Sequence, residues 1–277
     1  MTEDTLPITR VAPPSGWIQL GLSEAFAYRE LVAFLIWRDI KVRYKQTTLG
    51  VLWAWIQPVM TMVVFSVVFG RLAGLPSDGV PYPVFTLAGL MPWQLFASAV
   101  SGSANSLVGS GSLITKVYFP RIIVPIASVF ATLVDFAVSF VVLIVMMGYY
   151  HLVPTANVVF LPLFVLLALA ASLAAGLWCS ALNVRYRDVQ YVLPFVMQVW
   201  LFVSPVAYSA SLVTSPVARI FFNLNPMTGV IQGFRWSLLG SPAPGPYLVI
   251  SALIVAVFLI TGLLFFKRME NSFADVI

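Results

Sequence analysis

One carboxylate stands apart in this sequence, because Asp135 is the only charged residue between Arg121 and Arg185. Charge at membrane depth is costly, so an intramembrane carboxylate is by default a candidate functional site. The alternative is a structural residue, hydrogen-bonded or ion-paired between helices. We favour the structural role and expect Asp135 to be paired, protonated or facing water.

No other residues form a recognisable catalytic or metal-binding pattern. The sequence contains no phosphate-binding loop GxxxxGKS/T, no HExxH and no serine-nucleophile motif. The single histidine, His151, falls in a predicted outer loop, and the single cysteine, Cys179, excludes an intrachain disulfide. We therefore predict that this chain has no catalytic residue and binds neither a metal nor a cofactor.

The elements that must position these residues are membrane helices. Lys, Arg, Asp and Glu are absent from five long stretches, which are 46–70, 79–115, 136–184, 189–218 and 236–266. A helix of roughly 20 apolar residues crosses a bilayer, and backbone in lipid must satisfy its own hydrogen bonds. Only 9% of the 277 residues are charged, against about 25% in soluble domains. We predict an all-α polytopic membrane protein.

The predicted organisation is a single transmembrane domain, 46–268, with short polar ends. A flexible arm covers 1–22, an amphipathic interface helix 23–45 and a cytoplasmic tail 269–277. The predicted spans are 48–70, 83–106, 122–147, 157–183, 190–207 and 246–266. The proline-rich segment 208–245 lies between the last two, and its apolar part is too short to cross, which predicts re-entrant or surface helices.

The distribution of basic residues predicts the orientation. With six crossings and a cytoplasmic N-terminus, twelve of the fifteen Lys and Arg residues face the cytoplasm, and only Arg71, Arg219 and Arg235 face outward. The positive-inside rule favours this arrangement, with both termini cytoplasmic. Topology alone accounts for the net charge of +5, so we expect no nucleic-acid partner.

The segment 23–45 places cationic residues beside an apolar stripe. Arg38 and Lys41 belong to the basic stripe, while Trp37 and Tyr44 belong to the aromatic and apolar one. This pattern suits a helix lying among the headgroups of membrane lipid. The alternative is a basic segment that only sets the topology.

Five strings, in order along the chain, resemble the membrane subunits of type-2 ABC exporters, most closely those that export lipid-linked polysaccharides. They are RDIKVRYKQTTLGVLWAWIQP (38–58), GLMPWQLFASAV (89–100), SLITKVYFPRIIVP (112–125), LNVRYRDV (182–189) and NPMTGVIQGFRWSLLG (225–240). The resemblance implies a homodimer with two copies of a cytoplasmic ATP-binding subunit, which binds ATP and Mg. It also implies ATPase contacts at 23–45 and about 107–121, and an outer exit gate between the fifth and sixth spans.

Candidate site residues follow from these segments. The predicted contacts with the ATPase subunit are Arg38, Arg43, Tyr44, Lys116, Tyr118, Phe119, Pro120 and Arg121; aromatic and Arg side chains are common interface anchors. The predicted outer-gate residues are Asn225, Pro226 and Arg235. Aromatic candidates for lining a sugar channel are Trp53, Trp55, Phe65, Trp93, Phe96 and Trp200. The alternatives are topology-setting charge for the basic residues and helix packing for the aromatic ones.

The function we predict is export of a lipid-linked polysaccharide across the bacterial cytoplasmic membrane. O-antigen is the first choice, followed by capsule or teichoic acid. One rival is an ABC exporter of drugs or small lipids. Rivals of another class are a membrane glycosyltransferase, which would need clustered Asp, Glu or His at a membrane face, and a non-catalytic assembly protein.

Overall fold

The computed structural model describes residues 27–45, 51–213, 215–270 and 273, without the side chains of 51–54, 216–218 and 246–247. The predicted arm 1–22 and most of the tail 269–277 therefore lie outside the described residues, as does the side chain of Trp53. Within the described ranges the chain is helical and contains no strand.

Eleven α-helices make up the described fold. In chain order they are α1 (Arg29–Lys45), α2 (Val51–Phe65), α3 (Tyr82–Gly109), α4 (Gly111–Ile114), α5 (Ile123–Ala131), α6 (Leu133–Tyr149), α7 (Leu161–Arg185), α8 (Val189–Val203), α9 (Pro216–Leu224), α10 (Pro226–Leu239) and α11 (Pro246–Glu270). A π-helical segment, Ser66–Leu72, extends α2, and short 3-10 turns occupy Ala156–Phe160 and Ala210–Leu212.

Five helical segments of the described chain are long and apolar enough to cross a membrane. They are Trp55–Leu72, Tyr82–Gly109, Ile123–Tyr149, Ala156–Arg185 and Leu248–Glu270. The predicted span 190–207 coincides with α8, whose 15 residues rise only about 22 Å, short of the roughly 30 Å hydrocarbon core. The helix ends because Pro205 disfavours helical backbone at Ser204, which is extended with φ −87° and ψ 147°. The all-helical membrane architecture is confirmed, while the sixth crossing stays a prediction.

Helix α3 is the centre of the bundle. In its most apolar 18-residue stretch 78% of the residues are buried, against 17% in the first span. It packs on α7, α5, α10, α6 and α2. At the contact with α7, an added Cβ on Gly176 would lie 2.5 Å from Ser103 Oγ. The small residue is therefore required for the close helix approach that the spacing of Ser172 and Gly176 predicts.

The third span is interrupted at Thr132. This residue separates α5 from α6, and its hydroxyl donates to the Val129 carbonyl at 2.6 Å. Threonine hydroxyls that bond back to a carbonyl in the preceding turn often bend helices. Only α5, before the interruption, packs broadly against α1.

We expect Gly233→Ala to destabilise the fold by about 1–3 kcal/mol, the usual cost of overpacking a core. A Cβ at Gly233 would lie 2.1 Å from the Phe164 ring, which is itself buried with 1% exposure. The measurement is the thermal unfolding midpoint in nanodiscs. Gly148→Ala is the matched control, because nothing lies within 4 Å of its added Cβ. Equal midpoints for the two variants would contradict the packing described.

Candidate functional site

Helix α1 is attached to the membrane domain along one face. Leu35 is fully buried in an apolar cluster that also contains Phe119 from the turn before α5 and Phe266 from α11. On the other side of α1, Trp37 is 62% exposed. The helix therefore has a packed face and an exposed face that includes Trp37, while its role as an interface helix stays a prediction.

The last turn of α1 reaches Asp135 at the start of α6. Arg43 forms an ion pair with one carboxylate oxygen of Asp135, and the Tyr44 hydroxyl donates to the other. Burial and the hydrogen bond to Asp135 raise the pKa of Tyr44 well above its ordinary value, so the hydroxyl stays a donor. Of the three expected states of Asp135, which are paired, protonated or facing water, the structure shows the paired one, and two residues predicted to contact the ATPase are its partners.

Arg38 also makes contacts within the chain. Its guanidinium binds the Asp39 carboxylate at 2.9 Å and donates to Ser110 Oγ at 3.3 Å. Because Ser110 follows the last residue of α3, this contact joins α1 to the end of the central helix.

A cavity of about 520 Å³ opens beside the Arg43–Asp135 pair. Its wall comes from α1, α2, α3, α6 and Thr132, and most of its side chains are polar. The polar lining residues are Arg43, Tyr44, Gln57, Gln94, Ser98, Ser101, Asn105, Thr132, Asp135 and Ser139. The structure thus contains a half-open chamber that combines these polar side chains with apolar surface, within a predominantly apolar helical bundle.

Sequence reasoning missed this cavity, although a signal for it was present. Gln94, Ser98, Ser101 and Asn105 are spaced four, three and four residues apart, so they form one stripe along α3. Thr132, Asp135 and Ser139 form a second, shorter stripe. An analysis that follows charged residues alone overlooks these amides and hydroxyls.

Part of the polar lining is free to bind a ligand. Within the described part of the chain, the side chains of Gln57, Gln94 and Ser98 have no hydrogen-bond partner. Asn105, by contrast, is held in place: it donates to the Ser101 carbonyl at 3.0 Å and accepts from Asn183 Nδ2 at 3.2 Å.

The turn between α4 and α5 divides the remaining predicted ATPase contacts into exposed and buried residues. Lys116 is exposed and Tyr118 is 79% exposed, whereas Phe119 is only 5% exposed. Pro120 is half-buried. The backbone N–H of Arg121 donates to Glu270 Oε1 at 3.0 Å, and its guanidinium donates to the Glu270 carbonyl. Among the predicted contacts in this turn, Lys116 and Tyr118 are therefore the two that are accessible to another protein.

Three of the aromatic channel candidates form one cluster inside the bundle. The Trp200 ring lies edge-on to Trp93 and Phe96, with centroids 6.3 and 5.2 Å away. Trp93 is 4% and Phe96 1% exposed, so this position supports the packing alternative for both. Phe65 is also in the core, whereas Trp55 is 36% exposed. The described channel candidates, Trp55, Phe65, Trp93, Phe96 and Trp200, do not line the cavity. Their role in lining a channel therefore stays a prediction.

The outer-gate candidates Asn225 and Pro226 start α10. Asn225 caps the helix by accepting from the backbone N–H of Met227 at 3.0 Å, and Pro226 is the first helical residue. The Asn225 side chain also accepts from Trp200 Nε1 at 3.1 Å and donates to Ser204 Oγ at 2.9 Å. It therefore connects α10 to the end of α8.

Arg235, the third gate candidate, is buried in α10 with only 3% exposure. Its guanidinium donates to the carbonyls of Pro205 at 2.7 Å, Val206 at 2.6 Å, Phe85 at 3.3 Å and Tyr208 at 3.3 Å. Burial lowers the pKa of Arg235 to about 9, so it remains charged at neutral pH. These contacts describe a fixed connection between α10, α3 and the segment after α8; a gating role stays a prediction.

Residues 30–239 match the family model described as ABC-2 type transporter. The chain belongs to the ABC-2 type transporter family. This match covers the interface helix, the polar cavity, the turn before α5 and the Arg235 connection.

Named relatives of this ABC-2 type transporter extend over nearly its whole length. The O-antigen export system permease protein RfbA of Myxococcus xanthus is 31% identical over 92% of this chain and 98% of the relative. A protein of the same name from Klebsiella pneumoniae is 24% identical over 90% and 95%. The polysialic acid transport protein KpsM of Escherichia coli is 25% identical over 87% and 94%.

A second cavity of this ABC-2 type transporter has a volume of about 430 Å³. It lies between SLITKVYFPRIIVP and LNVRYRDV, two of the sequence strings that resemble type-2 ABC exporters. Ser112 and Thr115 line one side, and Val184 and Arg187 line the other. It joins the α3–α5 turn to the α7–α8 loop, so the two short segments predicted to be cytoplasmic are neighbours.

Proposed function

We propose that this chain is the transmembrane subunit of an ATP-driven exporter of lipid-linked polysaccharide, with O-antigen the first choice. The observation that carries the proposal is the polar chamber between α1, α2, α3 and α6 of an ABC-2 type transporter. A hydroxyl-rich polymer needs hydrogen-bonding groups to enter an apolar domain, and this chamber supplies them. The names of the three relatives, which match this chain over almost their full lengths, support the same substrate class.

The transporter we propose is a homodimer with two copies of a cytoplasmic ATP-binding subunit. It lies in the bacterial inner membrane with both termini in the cytoplasm. The absent phosphate-binding loop and the family membership support a separate subunit that binds ATP and Mg. The free faces of α1 and of the turn 115–118 are the surfaces we assign to that partner.

Two preparations test the proposal: the purified chain alone, and the complex formed by co-expression with the ATP-binding subunit of an ABC exporter. We expect no ATP hydrolysis by the chain alone, and hydrolysis with polysaccharide transport into vesicles by the complex. Hydrolysis by the chain free of any partner would contradict the assignment, as would a complex that hydrolyses ATP and moves no polysaccharide.

Tyr118→Ala should weaken binding of the ATPase subunit by about 2 kcal/mol, roughly 30-fold, as truncation of an exposed aromatic anchor typically does. The measurement is the dissociation constant of the ATPase subunit for the chain in nanodiscs. Tyr149→Ala is the matched control, because Tyr149 is 74% exposed at the opposite end of the third span. If both variants bind the ATPase subunit equally well, the turn serves only to set the membrane topology and does not contact that subunit.

Phe119→Ala should act differently from Tyr118→Ala, because the ring is buried in the cluster with Leu35 and Phe266. We expect it to lower the free energy of unfolding by about 3 kcal/mol or more. Thermal unfolding of the chain without the ATPase subunit measures this effect. Weakened ATPase binding with unchanged stability would show that Phe119 contacts the partner directly.

A further inference from the structure

We infer that the 520 Å³ cavity is a sugar-binding site that holds a short stretch of the exported polymer during its passage. This inference rests on the proposed function, and it adds the site and the groups that contact the polymer. The cavity volume falls within the roughly 300–1,000 Å³ range of small-molecule sites.

The first argument is the kind of polar group that lines the cavity. Gln57 and Gln94 each offer an amide that can donate and accept, and Ser98 offers a hydroxyl that can do both. None of these three side chains has a hydrogen-bond partner within the described residues. Sugar hydroxyls also donate and accept, so amides and hydroxyls satisfy them in either direction.

The second argument is the charge of the cavity. Among the described lining residues, Arg43 is the one cation and Asp135 the one anion, and the two are paired with each other. Tyr44 further satisfies the carboxylate. A phosphate or pyrophosphate group would compete with Asp135 for the positive charge of Arg43, whereas an uncharged sugar would not. The neutral lining therefore favours the glycan part of the substrate over its phosphate anchor.

The third argument is an aromatic wall. Phe136 lines the cavity, and its ring is held by Phe140 at 6.2 Å in a stacked arrangement and by Phe234 at 6.0 Å edge-on. Sugar rings have apolar C–H faces between their polar edges. A fixed ring beside unpartnered amides therefore matches both surfaces of a sugar.

The fourth argument is the direction of the site. From Gln94 to Asn105 the polar stripe of α3 extends about 16 Å along the helix axis. This distance is about half of the roughly 30 Å hydrocarbon core. The cavity therefore offers hydrogen-bonding groups over a substantial part of the path that a polymer must travel.

The test places the photo-reactive residue p-benzoylphenylalanine at Ser98, in the complete transporter of cells that make the polymer. Illumination should give a cross-linked product that stains for sugar. The matched control carries the same residue at Val141, which is 45% exposed and belongs to α6 but does not line the cavity. We expect a yield at least roughly tenfold higher at Ser98 than at Val141.

A second variant avoids the bulky probe. Gln94→Leu keeps the approximate size and removes the amide, so we expect export at limiting polymer supply to fall roughly 3- to 10-fold, the usual effect of a lost hydrogen bond. Gln190→Leu, at the start of α8 and outside the cavity, is the control and should export like the parent.

Each outcome decides between the alternatives. A sugar-bearing product at Ser98 only, with reduced export by Gln94→Leu, supports the site. Cross-links that contain phosphate and no sugar, or equal yields at Ser98 and Val141 while the parent exports, would overturn the site and leave the proposed function intact. A parent complex that exports no polysaccharide would overturn the proposed function, and the site with it.

Discussion

Arg235→Ala should lower the free energy of unfolding by about 4 kcal/mol or more, among the largest losses for a single substitution in this chain. The change removes the donor shared by four carbonyls and leaves a void next to the Phe85 ring, whose centroid is 3.5 Å from the guanidinium carbon. Each buried carbonyl left without a donor costs about 1–3 kcal/mol. Three separate segments, α3, the turn 205–208 and α10, would lose their common contact.

Thermal unfolding of the full chain in nanodiscs measures this effect. Arg219→Ala is the matched control, because Arg219 is an exposed arginine whose Nε donates to a single carbonyl, that of Val213; we expect it to change stability by about 0.5 kcal/mol or less. Arg235→Lys should recover only part of the loss, since an ammonium lacks the planar fork that reaches several acceptors. Equal stability of Arg235→Ala and Arg219→Ala would contradict this account.

Asp135→Ala should separate ATP hydrolysis from export. The substitution leaves Arg43 and Tyr44 without their shared acceptor, so the last turn of α1 loses its attachment to α6. The two charged side chains are 38% and 33% exposed, so we expect only about 1 kcal/mol of lost stability. Export per ATP hydrolysed should fall about tenfold, in keeping with the coupling of roughly 1–2 kcal/mol found between contacting residues.

A double-mutant cycle isolates the ion pair from the rest of the site. Asp135→Asn keeps an acceptor for Tyr44 and should fold normally, while Arg43→Gln removes the opposite charge. The double variant Asp135→Asn with Arg43→Gln should export about as well as the better single variant, because neither charge is then left alone. Strictly additive losses in export would mean that the two residues act independently.

The sequence predicted the long apolar helices well, because uncharged length alone specifies them. The predicted span 83–106 became Tyr82–Gly109, and 157–183 became Ala156–Arg185. The prediction was less accurate at 190–207, where the uncharged stretch continues but the helix ends before Pro205. Apolar composition does not distinguish a crossing helix from a short helix followed by a buried turn.

The candidate site was predictable only in part. Asp135 was a candidate because no other charged residue lies near it in the sequence, and we expected it to be paired, protonated or facing water. Nothing in the local sequence identifies Arg43 and Tyr44 as its partners. The polar stripe of α3 is readable from spacing alone, yet a cavity also requires α6 to present Thr132, Asp135 and Ser139 toward it. Likewise, Tyr118 and Phe119 are adjacent aromatic residues, and only the packing around Leu35 determines which of them is exposed.

Because the third span is interrupted at Thr132, the contacts of α1 with both of its halves restrict how those halves can move relative to each other. One continuous helix is attached on both sides of a bend: Leu35 and its neighbours pack on α5, and Arg43 and Tyr44 hold Asp135 on α6. A continuous helix that contacts the segments on both sides of an interruption restricts bending at that point. A change of angle at Thr132 would therefore have to break one of these two attachments, and the Arg43–Asp135 pair is the smaller of the two.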